Sequence, residues 1–471
     1  MSGGSNSDTG GTGWSALMRA PNAPRALVVG GGMAMHAINV FIVITILPSV
    51  VRDIGGLPYF AWSTTLYVIA SVLAGGFCAR ILPRIGARNH YRAALALFAV
   101  GSVICALAPS MPVLLAGRLV QGLGAGTVSA LSYTMVRALF PASLWPAAIS
   151  VISASWGVAT TLGPAFGGLF ASDGMWRWAF WTVAGVAPCL WLLVEASLPR
   201  DLPRAPAPTR PMAYLNLGVL CLSVLGVSIG SVGAEAWRNI AGLVAALAGL
   251  WWFVWLERHG ARRLMPFGAT RMATGLGTTF AAMMAVVIAV NTEIFVPYFL
   301  QALHGMKPLH AGYLSALMSF GWTTGSMAVS GVRPGAVPRW MQGGPMVMTL
   351  SLAGMAVLMP AAGLVTGQIG LLGLCLFAQG LGIGMCWPHV CAGVYAFAPE
   401  GEKDLAAASM TMVIMVSNAL GSALAGMMSN LAGFADGGAA GAAGAAGFLF
   451  GGFMLAPLAG FAAIRRLLTL R

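Results

Sequence analysis

The sequence predicts an all-α integral membrane protein: two six-helix bundles related by a pseudo-twofold axis, with two additional helices inserted between them, fourteen transmembrane helices in all. Three observations predict it: the apolar load of the chain, the side-to-side bias of its basic residues, and an internal repeat. Of 471 residues 58% are hydrophobic and 8% charged, against about 25% charged in soluble domains, and the mean hydropathy is +0.83. Such a chain cannot cover a water-facing surface with charge. A transmembrane helix takes about 20 apolar residues, so fourteen fit with room for loops and tails.

In order, the apolar runs fall at 26–49, 59–79, 91–108, 112–136, 146–170, 177–197, 212–234, 238–256, 273–300, 310–332, 341–363, 367–396, 405–431 and 442–464; these are spans 1 to 14. The segment 1–24 is rich in Gly, Ser and Thr and reads as a mobile cytoplasmic tail. Span 1 is long enough to be retained as a helix rather than cleaved as a signal. Spans 1–6 make a first bundle over 25–197. The connection 198–211 holds four charges and five prolines, which suit a stiff cytoplasmic linker. Two inserted helices follow at 212–256, then a basic cytoplasmic linker at 257–272, a second bundle at 273–465 and a cytoplasmic tail at 466–471. The 63 glycines lie among Leu, Val, Phe and Trp and imply close helix packing rather than disorder.

Net charge is +13, from 25 basic and 12 acidic residues. In a soluble chain that would suggest a nucleic-acid partner; here the cations sit in short gaps between apolar runs and report topology. Alternate connections receive twenty basic residues on one side and four on the other, Arg52, Arg177, Arg238 and Lys307, with Arg118 left inside a span. Positive charge collects on the cytoplasmic side, so both termini are expected there, in a bacterial inner membrane. The seven Cys all lie in apolar runs without ligand-like pairing and read as small buried side chains. No phosphate-binding loop ends in Lys-Ser or Lys-Thr, no His pair has metal-ligand spacing and no Ser sits on a strand-to-helix elbow, so neither an enzyme nor a metal or cofactor is implied.

Span 4 contains Gln121-Gly-Leu-Gly-Ala-Gly126, and span 12 contains Gln379-Gly-Leu-Gly-Ile-Gly384. The same offset carries Gly163 of span 5 onto Gly421 of span 13, and Gly168 onto Gly426. Spans 1–6 and 9–14 are thus two copies of one unit, an arrangement suited to alternating access around a central cavity; a channel is not favoured by it.

Four motifs resemble the major facilitator superfamily, in particular its fourteen-helix drug:proton antiporter branch, over roughly residues 25–465. Arg84, Gly86 and Arg88 fit the cytoplasmic signature after span 2, although Ala79 replaces its first glycine and Pro83 its usual acid. Arg118 to Gly126, with Gln121 and Gly122, resembles the fourth-helix signature linked to proton coupling. Gly157-Val-Ala-Thr-Thr-Leu-Gly-Pro-Ala-Phe-Gly-Gly168, with Gly163, Pro164, Gly167 and Gly168, looks like the fifth-helix signature of the antiporters. Trp176-Arg-Trp-Ala-Phe180 resembles the entry to the sixth helix, and the two inserted helices match the branch in architecture. In the second bundle only Gly335 and Arg339 echo the cytoplasmic signature. What the resemblance implies is proton-driven export of a small organic molecule by a protein that works as a monomer among membrane lipid.

Span 1 departs most from the family, with Asn39 where these antiporters often carry Asp. Asn39 cannot take a proton near neutrality; His36, one turn earlier, can titrate or simply pack. Glu293, in span 9, is the one acidic residue well inside an apolar run. An isolated carboxyl in hydrocarbon is costly to hold charged, which suits a group that loads and releases a proton as water reaches it from alternate sides. A fixed pair with Arg118, or a carboxylate reaching outer water, is the alternative. Arg118 itself cannot readily shed its proton and reads as a field source for another group, or else as a side chain snorkelling to the headgroups. Asn39, Tyr67, Trp156, Trp322 and Asn418 are the expected cavity wall, chosen as polar or aromatic groups on apolar helices. The expected substrate is amphipathic or cationic; the alternative is a specific, possibly anionic, metabolite moved without simple proton coupling.

Overall fold

A computed structural model describes residues 14–141, 144–171, 174–199, 213–232, 235–260, 262–329, 332–361 and 366–470. All fourteen expected spans are helical. Span 1 is Asn22–Ile54; spans 2 and 3 form one helical run, Trp62–Ala106; spans 4, 5 and 6 are Met111–Leu139, Trp145–Ala171 and Trp176–Ser197. The inserted pair, spans 7 and 8, is Tyr214–Gly230 and Ala236–His259. Span 9 comprises Gly275–Val290, a 3-10 turn Asn291–Phe295 and Val296–His304; spans 10 to 13 are Pro308–Val329, Val337–Leu358, Thr366–Phe397 and Lys403–Leu431. Span 14 is Gly438–Phe453 followed by Leu455–Thr469, divided where Pro457 removes the bond to the carbonyl of Phe453.

Eleven of these helices are long and apolar enough to cross a membrane on their own terms. Span 7 is apolar but has 17 residues, span 3 is joined to span 2, and span 10 carries more polar residues. The 45-residue run of spans 2 and 3 would extend about 67 Å at 1.5 Å per residue, over twice a membrane's ~30 Å hydrocarbon core. It turns back at Gly86, whose φ of 77° and ψ of 162° lie outside the helical region and where a side chain would be strained.

Residues 1–13 of the expected tail and 200–212 of the expected linker lie outside the described residues. The chain is folded from Trp14 onward, since Leu17 is fully buried and Asn22 Nδ2 donates to the carbonyl of Ala16 at 3.3 Å. At the other end span 14 continues through the expected tail to Thr469, with Leu467 fully buried.

The bundles meet in the half of the membrane away from the chain termini. A Cβ placed on Gly168 of span 5 would sit 2.5 Å from the Cα of Leu309 at the start of span 10, and one on Gly312 would sit 2.9 Å from the Cβ of Pro164. The symmetry-related contact is between spans 13 and 2, where a Cβ on Gly426 would lie 2.7 Å from the Cβ of Ala61. Only glycine lets these backbones approach so closely. Beside this contact Thr65 donates to Ser422 Oγ at 3.0 Å, and Ser422 to the carbonyl of Ala61 at 3.2 Å. Phe60 of the first bundle joins Phe295, Tyr298 and Phe434 of the second, at ring distances of 5.1, 5.4 and 5.6 Å.

The inserted pair touches both bundles at that same end. Trp62 Nε1 donates to the carbonyl of Ser228 at 3.0 Å, and Asn430 Nδ2 donates to the carbonyls of Pro58 at 2.9 Å and Ser231 at 2.6 Å. Towards the termini the contact of span 5 with span 10 is not continued at Gly157. Gly157 lies on the same face of span 5 as Gly168, three turns nearer the termini, and a Cβ there would meet nothing within 4 Å.

Gly163→Leu and Gly168→Leu should therefore differ. Gly163 packs within its own bundle, against Phe41, so its replacement should lower thermal stability. Gly168→Leu should instead wedge the bundles apart at an overpacking cost of about 1–3 kcal/mol. With native Cys replaced, disulfide cross-linking of Thr65→Cys to Ser422→Cys should slow about fivefold or more in Gly168→Leu, while the expression level holds.

Candidate substrate and coupling site

The first bundle holds a buried polar network centred on Arg118, which is 1% exposed. Its Nε donates to the carbonyl of Ser63 at 3.1 Å, its Nη1 donates to Gln121 Oε1 at 2.5 Å, and its guanidinium lies 4.0 Å from the centre of the Tyr67 ring. Gln121 Nε2 donates in turn to Asn39 Oδ1 at 3.1 Å and to Ser102 Oγ at 2.7 Å. Tyr67 and His36 Nδ1 share a hydrogen bond at 2.8 Å with their rings stacked, and His36 meets Trp156 edge to face at 6.0 Å. Spans 1 to 5 are tied together through one cation.

The packing that permits this is local. Arg118 and Gln121 are three apart on span 4, as His36 and Asn39 are on span 1, so each pair shares a face. Gly122 and Gly126 bring span 4 against the backbone of Tyr67 and Ser71, and Ser71 Oγ donates to the carbonyl of Gly122 at 3.1 Å. Arg118 does not snorkel, because its donors are engaged inside the bundle. Nor is it paired with Glu293: no ion pair joins them among the described residues. Ser63 and Ser102, which complete the network, carried no signal in the sequence, because their partners come from other spans.

The second bundle repeats the frame without the charge. Gln379 Nε2 donates to the carbonyl of Ala289 at 3.1 Å, as Gln121 does to Asn39 of span 1, while the position matching Arg118 is the fully buried Leu376. Gly421 packs against Asn291 as Gly163 does against Phe41, and Asn291 Nδ2 donates to Val287 O at 2.8 Å and to Asn418 Oδ1 at 3.2 Å. Next to Asn291 the α-helix gives way to the 3-10 turn that contains Glu293. The cause is Pro297, four residues on: it has no N–H for the carbonyl of Glu293, which accepts instead from Val296. Glu293 is half-buried and has no hydrogen bond or ion pair among the described residues.

Ala154, Gly157, Val158, Thr161 and Leu162 of span 5 line an open recess of about 590 Å3 on the termini side of the contact with span 10. Of the expected wall residues, Trp156 is 37% exposed, Trp322 is half-buried against Trp387 at a ring distance of 5.6 Å, and Asn418 is half-buried beside Asn291. Asn39 and Tyr67 lie beneath the surface at 0% and 1% exposure, and Asn39 Nδ2 has no partner. The glycines of the span 5 motif do not share one face: Gly163 and Gly167 address span 1, and Gly168 addresses span 10.

At the termini end Arg88 binds Glu195 of span 6 through both its backbone carbonyl and its carboxylate, the latter at 3.1 Å, and Arg92 grips the same carboxylate at 2.5 and 2.7 Å. Arg84 is exposed. Sequence reasoning also missed Glu257, which is 4% exposed at the end of span 8. Its carboxylate accepts from Asn216 Nδ2 at 2.5 Å and from the backbone N–H groups of Leu264 and Met265 at 3.0 Å, partners that no local pattern announces. No group of three or more His, Cys, Asp or Glu that could hold a metal occurs among the described residues.

Comparison with known proteins agrees with this architecture. The family model described as Major Facilitator Superfamily matches residues 29–341. A probable multidrug-efflux transporter of Mycobacterium tuberculosis is 36% identical over 417 residues, covering 86% of this chain and 88% of that protein. Two solved structures share the fold at 15% identity: the POT family transporter PepTSo, with a TM-score of 0.68 over 95% of this chain and 99% of that one, and a bacterial homolog of the human lysosomal transporter Spinster, inward-facing and unoccupied, with a TM-score of 0.66 over 96% and 99%.

Removing the central cation should unseat the network. Arg118→Ala leaves Ser63 O and Gln121 Oε1 without their donor, at about 1–3 kcal/mol for each unsatisfied group. Thermal unfolding in one detergent should show the loss, and Arg118→Ala combined with Gln121→Ala should cost less than the sum of the single changes, because the two share partners.

Proposed function

The chain belongs to the Major Facilitator Superfamily and is a secondary transporter of small organic compounds; we propose that it exports amphipathic or weakly cationic molecules from the cytoplasm across a bacterial inner membrane in exchange for protons. The observation that carries this reading is the divergence along one face of span 5. Gly168 is pressed against span 10 while Gly157, three turns away, faces open space. A pair of bundles sealed at one end and parted at the other is one state of an alternating-access cycle.

The sealed end is the periplasmic one when the basic connections and both termini are assigned to the cytoplasm. Substrate then enters the recess beside span 5 from the cytoplasm, against Trp156 and the apolar lining. The efflux relative supports a multidrug-type substrate range. Glu293 is the coupling group: it sits where Pro297 breaks span 9 and has no partner among the described residues. Protonation from the periplasmic side and release to the cytoplasm bias the two bundle arrangements, as a ligand with unequal affinity for two states must. His36 and Arg118 tune this equilibrium through the span 1 network. Arg84, Gly86 and Arg88 stiffen the cytoplasmic turn, with Arg88 held on Glu195.

One observation favours a second reading, export or uniport of a specific anionic metabolite: Asn39 Nδ2 is a buried donor without an acceptor. Against it, Arg118 is 1% exposed and turned to Ser63, Gln121 and the Tyr67 ring rather than to the recess.

Purified protein in liposomes with an imposed pH gradient, challenged with cationic dyes, organic anions and neutral lipophiles, distinguishes the two. Proton flux linked to cationic compounds is the expected result; flux linked to anions alone, or uptake without proton movement, overturns it. Glu293→Gln fixes the neutral form at nearly constant size. It should abolish gradient-driven accumulation while substrate binding and thermal stability stay near wild type, since no ion pair is lost. Intact coupling in that variant would move the proton site to another group.

A further inference from the structure

We propose that the connection between spans 8 and 9 binds the phosphate of an anionic glycerophospholipid headgroup. A cavity of about 180 Å3 lies in this connection, lined by Glu257, Arg258, Arg263, Phe267, Thr270 and Arg271 among others. Liquid water occupies about 30 Å3 per molecule, so the space suits a phosphate with a few waters rather than a whole lipid. Guanidinium groups suit phosphate oxygens because their forked donors match them in pairs.

The three arginines are differently prepared. Arg258 is fixed by donating to the carbonyl of Thr270 at 2.5 Å. Arg263 lies 3.8 Å from Glu402, with its guanidinium 5.7 Å from the centre of the Phe267 ring. The guanidinium of Arg271 lies 5.4 Å from the same ring and makes no hydrogen bond or ion pair among the described residues. Two cations thus flank one aromatic ring, and one of them lacks a counter-ion.

The two carboxylates nearby leave Arg271 without a counter-ion. Glu257 is saturated by Asn216 and two backbone N–H groups. Glu402 accepts from the backbone N–H of Phe267 at 2.8 Å and faces Arg263, which clips the connection to the start of span 13.

Position selects a lipid as the source. The cavity lies between the end of span 8 at His259 and the start of span 9 at Gly275, just beyond the ends of two membrane spans. The last turns of span 8 expose Trp251, Trp252 and Trp255 at 67, 46 and 46%, an interfacial belt of the kind that marks the boundary of the hydrocarbon. Phe267, 60% exposed, lines the cavity. Basic pockets between transmembrane helices are where anionic headgroups bind. The inference is independent of the transport reading.

Binding of phosphatidylglycerol to detergent-purified protein, followed by native mass spectrometry and thermal shift, tests it against phosphatidylcholine and inorganic phosphate. Wild type should prefer phosphatidylglycerol to phosphatidylcholine. Arg271→Gln should weaken that binding about fivefold, the share of one arginine near a membrane surface. Arg271→Lys should retain most of it, and Arg466→Gln, at the same end of the molecule but on span 14, should behave as wild type. Equal affinity for the two lipids in wild type overturns the site without recourse to variants. So does an Arg271→Gln protein that binds as wild type does, or an Arg466→Gln protein weakened as much. Stabilisation by inorganic phosphate at the same concentration as the lipid would assign the cavity to free phosphate and overturn the lipid source.

Discussion

One charge in hydrocarbon organises the first bundle. Bringing Arg118 into the membrane interior costs several kcal/mol unless its donors are met, and they are met by groups from different spans: the Ser63 carbonyl, the Gln121 amide and the face of Tyr67. Each partner is then constrained in turn. Gln121 orients Asn39, Tyr67 orients His36, and His36 sets the ring of Trp156 at the edge of the recess. A change in how span 5 sits against span 1 therefore reaches Arg118 through two rings, without any direct contact.

The second bundle shows what the same frame does without a charge. Gln379 still fastens span 12 to span 9, but with Leu376 in place of the arginine the remaining polar groups are the Asn291 and Asn418 pair and the unpartnered Glu293. The two copies thus differ in the charged group they carry. One keeps a permanent cation under neutral partners; the other keeps a carboxyl where a proline has opened the helix. The pair of glycine contacts, span 5 on span 10 and span 13 on span 2, holds these dissimilar halves in register.

Most of the architecture was legible because membrane helices announce themselves through length and apolar composition. All fourteen spans, the repeat and the inserted pair were readable for that reason. The turn at Gly86 and the break at Glu293 were also local matters, the second following from a proline four residues downstream. What could not be read was which residues meet across spans. Arg118 among Ser63, Gln121 and Tyr67, or Glu257 on the backbone of residues 264 and 265, joins positions whose proximity depends on tertiary packing. The different neighbours of Gly163 and Gly168 are also a local matter: five residues turn a helix by about 500°, which carries Gly168 well away from Gly163 and on to the neighbouring bundle.

The attachments of spans 7 and 8 are unequal. Towards the second bundle they are held by Phe267 and Arg263 of the following connection on Glu402 and by Asn430 of span 13; towards the first Trp62 donates to the carbonyl of Ser228 and Arg80 to the Tyr214 hydroxyl, with Phe77 stacked on the Tyr214 ring. Span 7 packs mainly along span 13, so in a rocking of the bundles the pair is expected to follow the second, a body of eight helices against one of six. The larger body presents the longer perimeter to the bilayer and shears more lipid for each degree of rotation. Viscous drag from the membrane thus falls mainly on one partner, and in the frame of the bilayer the six-helix half makes the greater excursion.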